Sequence, residues 1–147
     1  MNTIVALIDF SDATFKVLKQ VLLMARAFES RVVLLHVVPM EPVVVDLGLA
    51  SPTVMREASS AAVEGDRARL EELRESLTKF DVPVETQQLT SGTADLVMAE
   101  VARLNADLLV MGTHKHGWLY NLLVGSVTNE VVKRMTCPVL LVPADEP

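Results

Sequence analysis

At 147 residues the chain fits one domain with a core of its own, and its 50% apolar content contains no run near the roughly 18 residues that a membrane-spanning helix needs. A net charge of −6, from 19 acidic against 13 basic residues, argues against a nucleic-acid partner held by counterion release. One Trp, one Tyr and four Phe are too few for a platform on which single-stranded bases stack.

The opening MNTIVALIDFSD has no basic segment and no small-residue cleavage site, so it reads as a strand and not as a signal peptide. A lone cysteine, Cys137, excludes an intramolecular disulfide and offers no metal pattern. These features predict a soluble cytoplasmic protein with neither a membrane nor a nucleic-acid partner.

Five strand-like runs alternate with helix-like stretches. Thr3 to Ile8 (TIVALI) is short, apolar and β-branched, and Asp9 ends it. Ser11 is expected to cap the following helix, whose inward face would carry Phe15, Leu18, Leu22 and Ala25. Arg31 to Val38 (RVVLLHVV) reads as a second strand closed by Pro39. Residues 39 to 57 hold three prolines and no clear period, and are expected to form a long excursion. The next helix is expected to run to about Phe80, with Leu70, Leu73, Leu77 and Phe80 on one face.

Pro83 to Leu89 alternates weakly and suits an edge strand. Gly92 then turns the chain into a helix carrying Val97, Val101 and Leu104. Asp107 to Met111 is the fourth strand. Ser126 is expected to cap a final helix with Val127, Val131 and Met135 inward, and Pro138 to Val142 is the fifth strand. Without internal repeats or low-complexity tracts, residues 1 to 147 read as a single domain.

Apolar strands alternating with amphipathic helices imply a parallel sheet covered on both faces. Right-handed crossovers make this an open doubly wound α/β fold, in which ligands lie outside the carboxyl ends of the strands where strand order reverses. Asp9 ends the first strand and Gly112 follows the fourth. If those strands are neighbours, both residues face one crevice.

That geometry gives weight to residues 112 to 128, GTHKHGWLYNLLVGSVT. Gly125, just before Ser126, lets the backbone approach an anion at a helix N-terminus, where amides and partial positive charge favour phosphate. The Ser126 hydroxyl adds a donor. Neither G-x-x-x-x-G-K-[ST] nor G-x-G-x-x-G is present, so a nucleotide would be held in another way. His114 and His116 point in different directions on an extended loop and have no cysteine or carboxylate at ligand spacing, so they predict no transition-metal site. His36 reads as a hydrogen-bonded structural histidine, Cys137 as a small apolar residue, and the charge run from Glu64 to Lys79 as a solvated helix face.

The chain resembles the universal stress protein family. The likeness rests on IDFSD after the first strand, LLHVV in the second, ADLLVMGTH, the closing CPVLLVP, and the spacing G-x-x-G, nine residues, G-[ST], which Gly112, Gly125 and Ser126 match. The resemblance implies five parallel strands in the order 3-2-1-4-5 and binding of an adenine nucleotide, ATP or AMP. It further implies a homodimer through strand 138–142. By the same likeness Asp9 is the acid near the nucleotide and its Mg2+ ion, with Ile8 just before it, and Val37 offers its backbone to adenine. Gly112, Gly125, Ser126, Val127 and Thr128 form the ribose and phosphate cradle.

Lys115 stands where the motif has its second glycine. Its ammonium could reach the phosphates, or its bulk could fill the pocket and leave room for AMP or for nothing. Two other readings remain open: a dimeric interaction scaffold without ligand, and a slow nucleotide hydrolase with Asp9, His114 and Lys115 in the active parts.

Overall fold

The structure, a computed structural model, describes residues 1–90, 94–113 and 134–144. β1 (Thr3–Ile8) is buried along its whole length, as its unbroken apolar run requires of a central strand. It pairs in parallel with β2 (Arg31–Val37) on one side and β6 (Leu108–Gly112) on the other. β5 (Val84–Leu89) adds to β2, and β7 (Val139–Val142) adds to β6. The sheet order is β5-β2-β1-β6-β7, so the third, second, first, fourth and fifth of its strands lie side by side as expected. Order reverses between β1 and β6.

Side-chain alternation divides the core into two layers. Ile4, Ala6, Ile8, Val32 and Leu34 face α1 (Thr14–Phe28) and α2 (Ser60–Thr78). Val5, Leu7, Val33, Leu35 and Val37 face α3 (Ala94–Arg103), where Val97 and Val101 are buried. Each fully buried valine or leucine contributes about 1.5–3 kcal/mol. Cys137 packs against this second layer as a small half-buried residue, and burial pushes its thiol up.

Four expectations are corrected. In α1 the inward residues are Val17, Leu18, Val21 and Ala25, while Phe15 is 77% exposed. At 3.6 residues per turn the stripe formed by Val17, Leu18, Val21 and Ala25 leaves Phe15 beyond its edge, facing away from the sheet. The N-cap is Ala13 without a side-chain bond; Ser11 Oγ instead accepts the Ala13 amide at 3.3 Å, within the turn that precedes the helix. α2 stops at Thr78, so Phe80 falls in the following turn and is about half exposed. Its start is capped by Ser59, whose hydroxyl accepts the Ala62 amide at 3.2 Å.

The fourth correction concerns residues 39 to 57, which are not without regular structure. β3 (Glu41–Val44) and β4 (Thr53–Arg56) pair antiparallel as a separate two-stranded sheet. Pro42 is tolerated because each strand of such a ribbon has a free edge. At its tip Gly48 takes φ 82° and donates its amide to Asp46 Oδ1 at 3.0 Å.

Candidate functional site

The carboxyl edge of the sheet collects the described site residues. The register pairs Ile8 with His36, so the chain leaves β1 at Asp9 alongside Val37. On the other side the last recorded pair is Ala6 with Val110, so Ile8 and Gly112 each lie two residues beyond it. Asp9, Val37 and Gly112 therefore stand together where the strand order reverses.

Four contacts shape the edge. Asp9 Oδ1 accepts the Ser11 amide at 3.0 Å, an Asx-type turn that bends the chain towards α1. Ala13 then lies so close to β6 that a Cβ on Gly112 would be 2.7 Å from the Ala13 Cβ and 3.5 Å from Val17 Cγ2. Glycine at 112 is thus required for close packing of the turn on the strand. Beyond it, the Thr113 amide donates to the Val142 carbonyl at 3.0 Å and Thr113 Oγ1 accepts the Ala144 amide at 3.3 Å. These bonds carry the exit of β6 alongside β7.

A second cluster backs the same turn. His36, 3% exposed, places Nδ1 2.6 Å from the Ile8 carbonyl oxygen and Nε2 3.0 Å from Asp66 Oδ2. Phe10 takes φ 56°, and its ring centroid lies 4.5 Å from that of His36. The Arg69 guanidinium sits 4.1 Å from the Phe10 centroid on the other contact. The structural role expected for His36 is thus borne out, although its partners join two elements at the edge.

An open cleft of about 360 Å³ borders this turn, lined by Phe10, Ser11, Thr14, Phe15, Leu18 and Leu73 together with Asp12, Arg69 and Glu72. It lies on the α1–α2 side and includes neither Val37 nor Gly112. Among the described residues no three His, Cys, Asp or Glu side chains are grouped to hold a metal ion. No described helix is long and apolar enough to cross a membrane.

Ile8, Asp9, Val37 and Gly112 are thus brought to one edge. Lys115, Gly125, Ser126, Val127 and Thr128 lie outside the described residues, as do His114, His116 and the start of the final helix. Sequence reasoning missed Ala13, whose role depends on a contact 99 positions away, and the Phe10–His36–Asp66–Arg69 cluster, whose members come from three elements. The i, i+3 spacing of Asp66 and Arg69 on α2 was the one local sign of that cluster, with Arg69 Nη1 3.7 Å from Asp66 Oδ1.

Sheet order and helix placement together define a doubly wound α/β domain whose strand order reverses between β1 and β6. The chain belongs to the universal stress protein family, whose pattern matches residues 1–143. Universal stress protein A homolog 1 of Coxiella burnetii is 31% identical over 140 residues, 95% of this chain and 94% of that protein. Universal stress protein MJ0531 of Methanocaldococcus jannaschii is 30% identical over 134 residues, 91% of this chain and 77% of its own length.

Solved structures share the fold. A universal stress protein in complex with cAMP superposes with a TM-score of 0.67 at 19% identity, covering 98% of each chain. One from Archaeoglobus fulgidus in complex with dAMP gives 0.64 at 20% identity, covering 96% of each. A family protein from Arabidopsis thaliana with AMP bound gives 0.59 at 19% identity, covering 99% of this chain and 93% of that one.

Proposed function

We propose that this protein is a regulatory module that binds an adenine nucleotide, AMP or ATP, outside the carboxyl ends of β1 and β6. The observation that carries the reading is the convergence of Asp9, Val37 and Gly112 at the carboxyl edge where strand order reverses. Family relatives solved with cAMP, dAMP and AMP support the ligand class.

In this reading the Val37 backbone meets adenine, and Ile8 and Asp9 border the ribose and phosphates. Gly112, Gly125, Ser126, Val127 and Thr128 supply the cradle, and the Lys115 ammonium reaches the phosphates. Asp9 is exposed and is the one described carboxylate of the proposed residue set. A single carboxylate suits Mg2+, which is held largely by phosphate oxygens and water. With Mg2+ beside the phosphates, the ion would neutralise their charge. The test is to denature freshly purified protein and identify any released nucleotide by chromatography. AMP or ATP in near-stoichiometric amount supports the reading. No release, with no thermal stabilisation by added AMP, ADP or ATP, refutes it.

A second reading, a ligand-free dimeric scaffold, is favoured by β7. It is an edge strand with Leu141 47% exposed, and such an edge invites pairing with another chain. A homodimer through residues 138–142 belongs to both readings, so nucleotide release is what separates them.

A further inference from the structure

The buried ring of His36 faces two acceptors. The Ile8 carbonyl can only accept, and so can an ionised Asp66 carboxylate, yet Nδ1 and Nε2 lie 2.6 and 3.0 Å from them. A neutral imidazole carries one N–H and satisfies one of the two. Both contacts need a further proton, on the ring or on Asp66, shared along the Nε2–Oδ2 line.

We propose that His36 and Asp66 form a proton-bearing latch that positions the Asp9–Phe10 turn, and that losing the proton weakens adenine-nucleotide binding at this edge. The proposal rests on the nucleotide-binding reading above. The latch ties the last carbonyl of β1 to α2, one residue before Asp9. It also holds Phe10 in the left-handed region at φ 56°, a conformation that costs a non-glycine residue about 1–2 kcal/mol. The ring of Phe10 contacts both the His36 ring, at 4.5 Å, and the Arg69 guanidinium, at 4.1 Å. A positive His36 strengthens its own contact, because an aromatic face attracts cations.

Among the described residues, α2 contributes Asp66 and, beside it, Arg69; β5 places uncharged Gln88 opposite His36, with Arg67 of α2 donating to the Gln88 side chain at 3.3 Å and paired with Glu64; the β1 end contributes the Ile8 carbonyl followed by Asp9. The sign follows directly. Raising pH removes the shared proton, leaves an imidazole lone pair facing carboxylate oxygen, and frees the turn, so affinity falls as pH rises and recovers on acidification. Asp66→Asn separates the proton from the contact. Its amide can donate to a bare Nε2, so both bonds survive without the extra proton.

The test has two arms over about pH 5 to 9. The first follows the imidazole nitrogens of His36 and the amides of Asp9 and Phe10 by NMR, without nucleotide. The second measures AMP affinity for the unmodified protein and Asp66→Asn; titration of the AMP phosphate is common to both. The expected result is that His36 bears two N–H groups at the acidic end and that the Asp9 and Phe10 amides titrate with it. AMP affinity then falls about tenfold towards the alkaline end, and Asp66→Asn removes both the amide titration and the extra loss of affinity. A bare His36 nitrogen at every pH, or an Asp66→Asn protein with the parent's profile, overturns the latch. Should the unmodified protein bind no AMP at any pH, the nucleotide reading fails, the claim on affinity falls with it, and the amide titration alone decides whether the latch positions the turn.

Discussion

Ala13 occupies the space that a side chain at Gly112 would need: a Cβ on Gly112 would lie 2.7 Å from the Ala13 Cβ. Residues 99 positions apart thus join the fourth strand of the sheet to the turn after the first. Gly112→Ala is expected to lower unfolding free energy by roughly 1–3 kcal/mol, because Ala13 is 1% exposed and has nowhere to move. Chemical denaturation measures it. Adding Ala13→Gly to the same protein should recover much of the loss, and a double-mutant cycle with no coupling would contradict the contact.

Among the described residues, three helix or turn ends carry non-glycine residues in the left-handed region: Glu29 at φ 52°, Asp81 at φ 59° and Asn105 at φ 50°. Glu29 closes α1, where its amide reaches the Ala25 carbonyl, and its side chain is exposed. Glu29→Gly should therefore raise stability by about 1 kcal/mol through relief of backbone strain. Thermal unfolding checks it; a lower midpoint would mean that the glutamate side chain contributes more than the strain costs.

Asp107 Oδ2 accepts the amides of Asn2 and Thr3 at 2.7 and 2.9 Å, fastening the start of β1 beside β6. These bonds, first that from Thr3, hold its carboxyl below the usual aspartate range. A depressed folded-state value means the stabilisation is present above the unfolded value of about 4 and is lost as pH falls through the folded one. Asp107→Asn should lower the unfolding midpoint at neutral pH and flatten its decline in acid. An unchanged acid dependence would show that other carboxylates carry it.

The hairpin β3–β4 pairs with itself, and no other described element packs on it to a comparable extent. Val44, Leu47, Val54 and Met55 are about half exposed or more. Replacing residues 41 to 56 by a short Gly-Ser linker should change unfolding free energy by less than about 1 kcal/mol, since loop length costs little. A much larger loss in urea unfolding would mean that the hairpin leans on the domain.

The parallel sheet was readable because its inner strands are unbroken apolar runs, and their order because the family likeness supplied it. Misread segments are those where a local pattern competed with tertiary placement. Phe15 has helical spacing with Leu18 and Leu22, but the stripe buried against the sheet runs through Val17, Leu18, Val21 and Ala25 and leaves it outward. β3 and β4 are four residues each, too short for alternation to stand out amid three prolines. At the carboxyl edge, the placement of Asp9 and Gly112 was legible from strand ends, and Val37 was singled out by the family likeness alone. His36 showed only as a structural residue, because neither the Ile8 carbonyl nor Asp66 is near it in sequence.

The central claim is that an adenine nucleotide lies where β1 and β6 diverge. The most direct measurement is amide chemical-shift mapping with added AMP or ATP. The account predicts the largest shifts at Asp9, Val38 and Thr113, at the carboxyl edge. Shifts confined to the opposite end of the sheet, around Arg26, Glu29 and Phe80, or no saturable shifts at all, would contradict it.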